Sequence, residues 1–247
     1  MQIPTIKDDV PYLDTAQMIE VDRAMIEDYR IELIQMMENA GRCLAILARE
    51  RFLGDRLEGK HITVMAGSGG NGGGALVAAR RLHNWGAMVQ VLLAQAATRM
   101  TAAPRQQLDI LERMGVECVP EPKMPLRGRV PHLIIDGLIG YSLKGAPHGV
   151  TRDLIEWSNT SGTSVLALDT PSGLDTATGT LFEPAIVATS TMTLALPKEG
   201  LRSPGVEAHV GELYLADISV PPSLFERPAL GLKVGPIFAT GDIVRLA

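Results

Sequence analysis

From His61 to Ala216 the chain alternates two hydrophobic patterns: short unbroken apolar runs, and longer stretches in which apolar residues return every three or four positions. The unbroken runs read as strands buried on both faces, the spaced stretches as amphipathic helices. Strands are predicted over Ile62–Ala66, Met88–Leu93, Val116–Val119, Leu133–Asp136, Ser164–Asp169, Thr191–Leu196 and Glu212–Ala216. Helices are predicted over Ala75–Trp85, Thr101 to about Met114, and Thr151–Ser158. A Pro- and basic-rich connector, Pro120 to Pro131, interrupts the alternation.

Two helices precede the first strand. Asp14 is placed to cap the first, with Gln17 reaching back as in a capping box, and Met18, Val21 and Met25 keep helical spacing. The second runs from about Ile31 to Phe52, with Leu33, Met37, Ala40, Leu44 and Leu47 on its apolar face. Within it, Asn39 is a polar residue among apolar neighbours, either a helix-packing amide or a side chain aimed at a ligand.

Strands alternating with helices predict an α/β fold around an open, mostly parallel sheet covered on both faces. Ligands of such sheets sit beyond the carboxyl ends of the strands, near the point where strand order reverses. The residues with chemical potential share that edge. A glycine stretch follows the first strand, Asp136 ends another, Asp169 ends a third, and Pro197, Lys198 and Glu199 follow a fourth.

The glycine stretch, Gly67, Gly69, Gly70, Gly72, Gly73 and Gly74 around Asn71, reads as a loop between strand and helix. Glycines there permit positive φ and close approach to a ligand, and the helix behind them offers free N–H groups to an anion. Gly67, Gly69 and Gly72 match G-x-G-x-x-G, but that fingerprint also needs an acid about 20 residues on to hold the ribose. From Gly74 the chain meets no Asp or Glu until Asp109, which disfavours an NAD dehydrogenase. A turn that merely lets strand and helix pack closely is the plain alternative.

Composition narrows the class. The 247 residues suffice for one large domain, and 46% hydrophobic with 21% charged residues is ordinary for a globular fold. A net charge of -5 and 4% aromatic content supply neither a basic field nor stacking platforms, so nucleic acid is not expected as a partner. The start carries Lys7, Asp8 and Asp9 and lacks an apolar core, so no secretory signal is read, and no run is suited to span a bilayer. A cytoplasmic protein without membrane attachment is expected, with Cys43 and Cys118 as reduced thiols.

Two later segments carry chemistry. Asp136, Gly137, Gly140, Tyr141, Ser142, Lys144, Gly145 and Gly149 form a loop able to wrap a ligand, Lys144 supplying charge for phosphate, or else a solvent-facing loop. Asp169, followed by Pro171, Ser172 and Gly173, is either a partly desolvated carboxylate fit for proton transfer or the cap of its own turn. Asp175 reads as such a cap. No nucleophile elbow surrounds Ser172, and no His stands out as its partner. Asn71, Asp136 and Ser172 together offer hard oxygen donors, suited to an alkali or alkaline-earth ion and not to zinc.

These segments, with Met36–Gly41, Leu76–Arg80 and Pro197, Lys198 and Gly200, resemble the NAD(P)H-hydrate epimerase family of the YjeF N-terminal domain type. The resemblance covers one domain over the whole chain, with a core of about 14–221 and a C-terminal extension, 222–247, of unassigned role. It implies a three-layer α/β/α Rossmann-like fold, a homodimer, and interconversion of the R and S hydrates of NADH and NADPH (NADHX and NADPHX), which are substrates and not cofactors. By the same resemblance K+ falls on Asn71, Asp136 and Ser172. Substrate contacts fall on Gly70, Asn71, Gly72, Gly73 and Gly74, on Gly140, Tyr141, Ser142, Leu143, Lys144, Gly145 and Ala146, and on Asp169, which is the acid/base.

The resemblance also implies a separate ADP- or ATP-dependent NAD(P)H-hydrate dehydratase in the same pathway, for which 247 residues leave no room. Where the family loop reads Asn-Asn-Gly-Gly-Asp-Gly, this chain has Gly70, Asn71, Gly72, Gly73, Gly74 and Ala75, without the first Asn and without the Asp. A non-catalytic nucleotide-binding or dimerisation module on the same fold is the alternative reading.

Overall fold

The computed structural model describes residues 3–7, 10–124 and 130–247. The middle of the 120–131 connector and the Asp8–Asp9 pair lie outside them. The strands are β1 (Thr5–Ile6), β2 (His61–Ala66), β3 (Met88–Leu93), β4 (Glu117–Pro120), β5 (Leu133–Gly137), β6 (Val165–Leu168), β7 (Ser190–Leu194), β8 (Glu212–Ala216) and β9 (Ile243–Leu246). They form a nine-stranded sheet in the order β1-β9-β8-β7-β6-β5-β2-β3-β4. From β2 to β8 every pairing is parallel, and β9 runs antiparallel to β8.

The helices are α1 (Thr15–Glu27), α2 (Leu33–Ala48), α3 (Gly70–Asn84), α4 (Ala102–Arg113), α5 (Gly149–Thr160), α6 (Glu207–Val210) and α7 (Pro222–Phe225). Alternate strand residues feed two cores, as the pleat requires. Val64, Val91, Ile135 and Leu166 pack under α2, α3 and α4, whereas Met65, Leu92, Ile134 and Val165 pack under Leu154 and Ile155 of α5. The result is a three-layer α/β/α fold, and strands buried from both sides explain the unbroken apolar runs.

The order reverses between β2 and β5. From β2 the chain steps outward through β3 and β4, then returns to the other side of β2 and steps away through β5, β6, β7 and β8. The loops that follow β2 and β5 flank this switch point, where an open α/β sheet leaves a crevice.

Two helix boundaries differ from the pattern-based expectation by more than two residues. The helix after β2 starts at Gly70, not Ala75, so Gly70–Gly74 are its opening turns and not a loop. The low helix propensity of glycine is overridden by packing. A Cβ at Gly72 would collide with the Gly67 carbonyl oxygen, one at Gly67 with the Leu138 carbonyl oxygen, and one at Gly137 with Ala75. None of the glycines from Gly67 to Gly74 has positive φ, so their use is close approach and not left-handed backbone.

The second helix ends at Ala48 and is followed by a π-type turn, Arg49–Leu53, closed by Gly54 at φ 76°. The last segment also acquires a place. Its β9 hydrogen-bonds β8 on one side and β1 on the other, while Leu224 and Phe225 of α7 pack with Met18, Val21 and Met25 of α1. The capping box of α1 forms, Asp14 Oδ1 accepting from Gln17 N at 2.7 Å and Gln17 Oε1 from Asp14 N at 2.9 Å. Cys43 and Cys118 are separate free thiols, the first buried and the second half-buried. No helix among the described residues is long and apolar enough to cross a membrane.

Candidate active site

At the carboxyl ends of the strands, over the switch point, lies a cavity of about 630 Å³. Its floor is the start of α3. Gly69, the N-cap, offers no side chain to the first N–H groups of the helix, and a Cβ at Gly69 or Gly70 would meet open space. Helix α5 also opens without a side-chain cap, and His148 and Thr151 at its start line the same cavity. Uncapped helix N-termini present donors and a positive dipole end to an anion. Of the lysines and arginines among the described residues, only Lys144 lines the cavity, on the loop after β5, and it is exposed.

Two carboxylates end adjacent strands, and their surroundings differ. Asp136, next to last in β5, is fully buried. Its Oδ1 accepts from Ser172 Oγ at 2.7 Å and Leu138 N at 3.1 Å, and its Oδ2 from Ser172 N at 2.8 Å. Ser172 Oγ in turn accepts from Ile139 N at 2.9 Å, so Asp136 and Ser172 stitch the β5 loop to the turn after β6. Every donor to Asp136 is neutral. Burial pushes its carboxyl up to about 6, against the pull of the Ser172 and Leu138 hydrogen bonds.

Asp169 immediately follows β6 and takes a left-handed φ of 66°, a conformation costly for a non-glycine residue and tolerated best by Asn and Asp. The bond from its own N–H to Met192 O, 2.7 Å, ties this turn to β7. Its side chain is buried and ion-paired with Lys198, whose Nζ also donates to Leu194 O at 2.9 Å and Thr193 Oγ1 at 3.2 Å. Lys198 and Thr193 occupy Oδ1, while Oδ2 takes no hydrogen bond from the described residues and Asp169 lines the cavity. One oxygen is held by a buried cation, and the other is available for chemistry.

Asn71, in the first turn of α3, donates from Nδ2 to Leu168 O at 2.8 Å, and its side chain lies against Gly140, where a Cβ would be 2.8 Å from its Cγ. Gly70, Asn71, Gly74 and the whole of Gly140–Ala146 line the cavity. Gly72 and Gly73 do not; Gly72 packs on Gly67, and Gly73 faces Met37 and Pro104. At Gly74 a Cβ would stand 2.8 Å from Leu168 Cδ2, so in this chain leucine occupies the space beside that position. Met36, Met37 and Ala40 of α2 line the cavity, and half-buried Asn39 does not. Asp175 caps its own turn, accepting from Ala177 N and Thr178 N.

Two features are not evident from the sequence alone. Lys198 stands there only in a strand-end segment, with nothing to mark it as the partner of Asp169. Asp22 of α1 lines the cavity and accepts from the Tyr141 hydroxyl at 2.5 Å. Its signal was available: Asp22 lies four residues after Met18 and four before Ile26, a carboxylate in an otherwise apolar helical stripe.

Comparison with known proteins agrees with this architecture. The family described as YjeF-related protein N-terminus matches residues 33–200. An NAD(P)H-hydrate epimerase of Dehalogenimonas lykanthroporepellens is 39% identical over 93% of this chain and 90% of its own length. Another, from Rhodopirellula baltica, is 30% identical over 88% of each. A bifunctional NAD(P)H-hydrate repair enzyme of Salinibacter ruber is 32% identical over 89% of this chain, which spans only 42% of that protein. In fold, the crystal structure of the yeast protein YNL200c aligns with a TM-score of 0.78 over 96% of this chain and all of that one, at 22% identity.

Proposed function

The chain belongs to the YjeF-related N-terminal family, and from that membership and the geometry of the cavity we propose that it is an NAD(P)H-hydrate epimerase with Asp169 as its acid/base. The observation that carries this reading is the asymmetry of Asp169, a residue of the cavity lining, with Oδ1 ion-paired to buried Lys198 and Oδ2 without a hydrogen bond among the described residues.

The chemistry follows from that asymmetry. The hydrate bears a hydroxyl on C6 of the nicotinamide ring, and inverting that carbon requires the ring to open or the hydroxyl to leave, with closure on the other face. A carboxylate already paired with Lys198 begins as the base, which favours ring opening. Oδ2 takes the hydroxyl proton, the C6–O pair becomes a carbonyl, and the C6–N1 bond breaks with its electrons passing to N1. Rotation about C5–C6 presents the other carbonyl face; N1 re-adds, and the alkoxide recovers the proton from Asp169. One carboxylate thus serves both directions, and no redox step occurs. Lys198 keeps the acceptor oriented, Lys144 and the N–H groups at the start of α3 hold the phosphates, and the surrounding apolar wall of α2 limits water.

A potassium ion is part of the reading. Asn71, Asp136 and Ser172 supply hard oxygen donors, and Asp136 is a buried carboxylate without a cationic partner among the described residues. Bound there, the cation would supply a fixed positive charge beside the start of α3. We further read the protein as a cytoplasmic homodimer acting beside a separate ADP- or ATP-dependent dehydratase. The bifunctional relatives support a second repair activity working with this one.

The test is chemical. One purified NADHX epimer incubated with the protein should relax to a mixture of both, followed by chromatography. Dinucleotide binding without relaxation would favour a non-catalytic module on this fold.

A further inference from the structure

The family match begins at residue 33, yet α1 contributes a carboxylate to the cavity wall. Met18, Asp22 and Ile26 stand four residues apart on the α1 face that lines it. Asp22 forms no ion pair among the described residues. The neighbouring cation, Arg23, is engaged by Glu20, Glu27 and Asp28 instead. Among the described residues, the one hydrogen bond to the Asp22 carboxylate comes from Tyr141 on the loop after β5.

Burial pushes Asp22 above the ordinary carboxylate range and the Tyr141 bond pulls it back, with Lys198 lowering and Asp169 raising it through space. Tyr141 is pushed up in turn, first by burial and then by Asp22. A partly buried Asp–Tyr pair is a costly way to join two surfaces that are otherwise apolar, because each member left alone is an unpaired polar group. What the pair joins is specific. Tyr141 packs among the side chains of the α1 and α7 core and directly follows Gly140, which rests on Asn71.

We propose that Asp22 is a positioning residue: through its hydrogen bond to Tyr141 it ties α1 to the Gly140–Ala146 loop and holds that loop in register across the cavity, where it grips the dinucleotide. The assignment deepens the epimerase reading and rests on it. Asp22 acts on substrate affinity and not on the proton transfer at Asp169. The first helix of the chain is therefore part of the binding apparatus.

The test combines four variants with two readouts, turnover of one NADHX epimer and equilibrium binding of NADPH. Asp22→Ala and Tyr141→Phe should each raise KM, and Kd for NADPH, by about tenfold, as expected for a lost hydrogen bond to a charged group, with kcat within about threefold of wild type. Asp22→Asn, which keeps an acceptor for the Tyr141 hydroxyl, should bring KM back to within about threefold of wild type. The double variant Asp22→Ala/Tyr141→Phe should be no worse than either single one, as for two residues acting through one contact. Unchanged KM and Kd in both single variants would overturn the proposal, even if thermal midpoints fall. So would additive losses in the double variant, or an Asp22→Asn as impaired as Asp22→Ala. Wild-type turnover is read separately. If it is absent, the epimerase reading fails while the NADPH affinities still decide the tie between α1 and the loop.

Discussion

Asp136 and Asp169 end neighbouring strands of one sheet, both buried and both short of solvent, and they are built for opposite purposes. Asp136 is surrounded by neutral donors that fix both of its oxygens and leave its charge unmatched. Asp169 has its charge matched by Lys198 at one oxygen and, among the described residues, nothing bonded at the other. The first arrangement knits two loops together and suits an added cation; the second suits a proton exchanged with a ligand. Environment, not residue type or position on the sheet, separates the two roles.

That contrast can be broken by substitution, and three stability effects are ranked by it. Lys198→Met should be the most damaging, costing about 3–5 kcal/mol in urea unfolding, because it leaves Asp169 charged, buried and unpaired. A cost near zero would mean that Lys198 does not hold the Asp169 charge. Ser172→Ala comes next. It removes the hydroxyl bond to Asp136 and should cost about 1–3 kcal/mol, since the buried carboxylate loses a donor while keeping the bond from the Ser172 backbone. The smallest effect is that of the ion. Replacing choline chloride by KCl at equal ionic strength should raise the thermal midpoint by a few degrees, on the order of 1 kcal/mol. Asp136→Asn should abolish that difference and Asp169→Asn should preserve it. The reverse pattern would place the cation at the other carboxylate.

Much of this is legible in the sequence. Met88–Leu93 and Glu212–Ala216 are strands with the bounds the apolar runs predict, because a run buried on both faces carries its own limits. Thr5–Ile6 and Ile243–Leu246 are not marked by the sequence because they are only two and four residues long, and Arg245 breaks the apolar run of the second. The glycine stretch points to a turn by propensity, whereas inside α3 the Gly67 carbonyl leaves no room for a Cβ at Gly72 and the Met37 side chain leaves none at Gly73. Strand ends made Asp136 and Asp169 visible as candidates. The Asp169–Lys198 and Asp22–Tyr141 pairs are not visible in the same way, since their members lie 29 and 119 residues apart and only the folded sheet and α1 bring them together.

The most direct test follows a single purified NADHX epimer over time with wild type, Asp136→Asn and Asp169→Asn, each shown to be folded and to bind NADPH. The account predicts rapid equilibration by wild type and slower but measurable equilibration by Asp136→Asn. Asp169→Asn should be slowed by about 10²–10⁴-fold, the usual worth of a positioned acid/base. Equilibration by Asp169→Asn at the wild-type rate would contradict it.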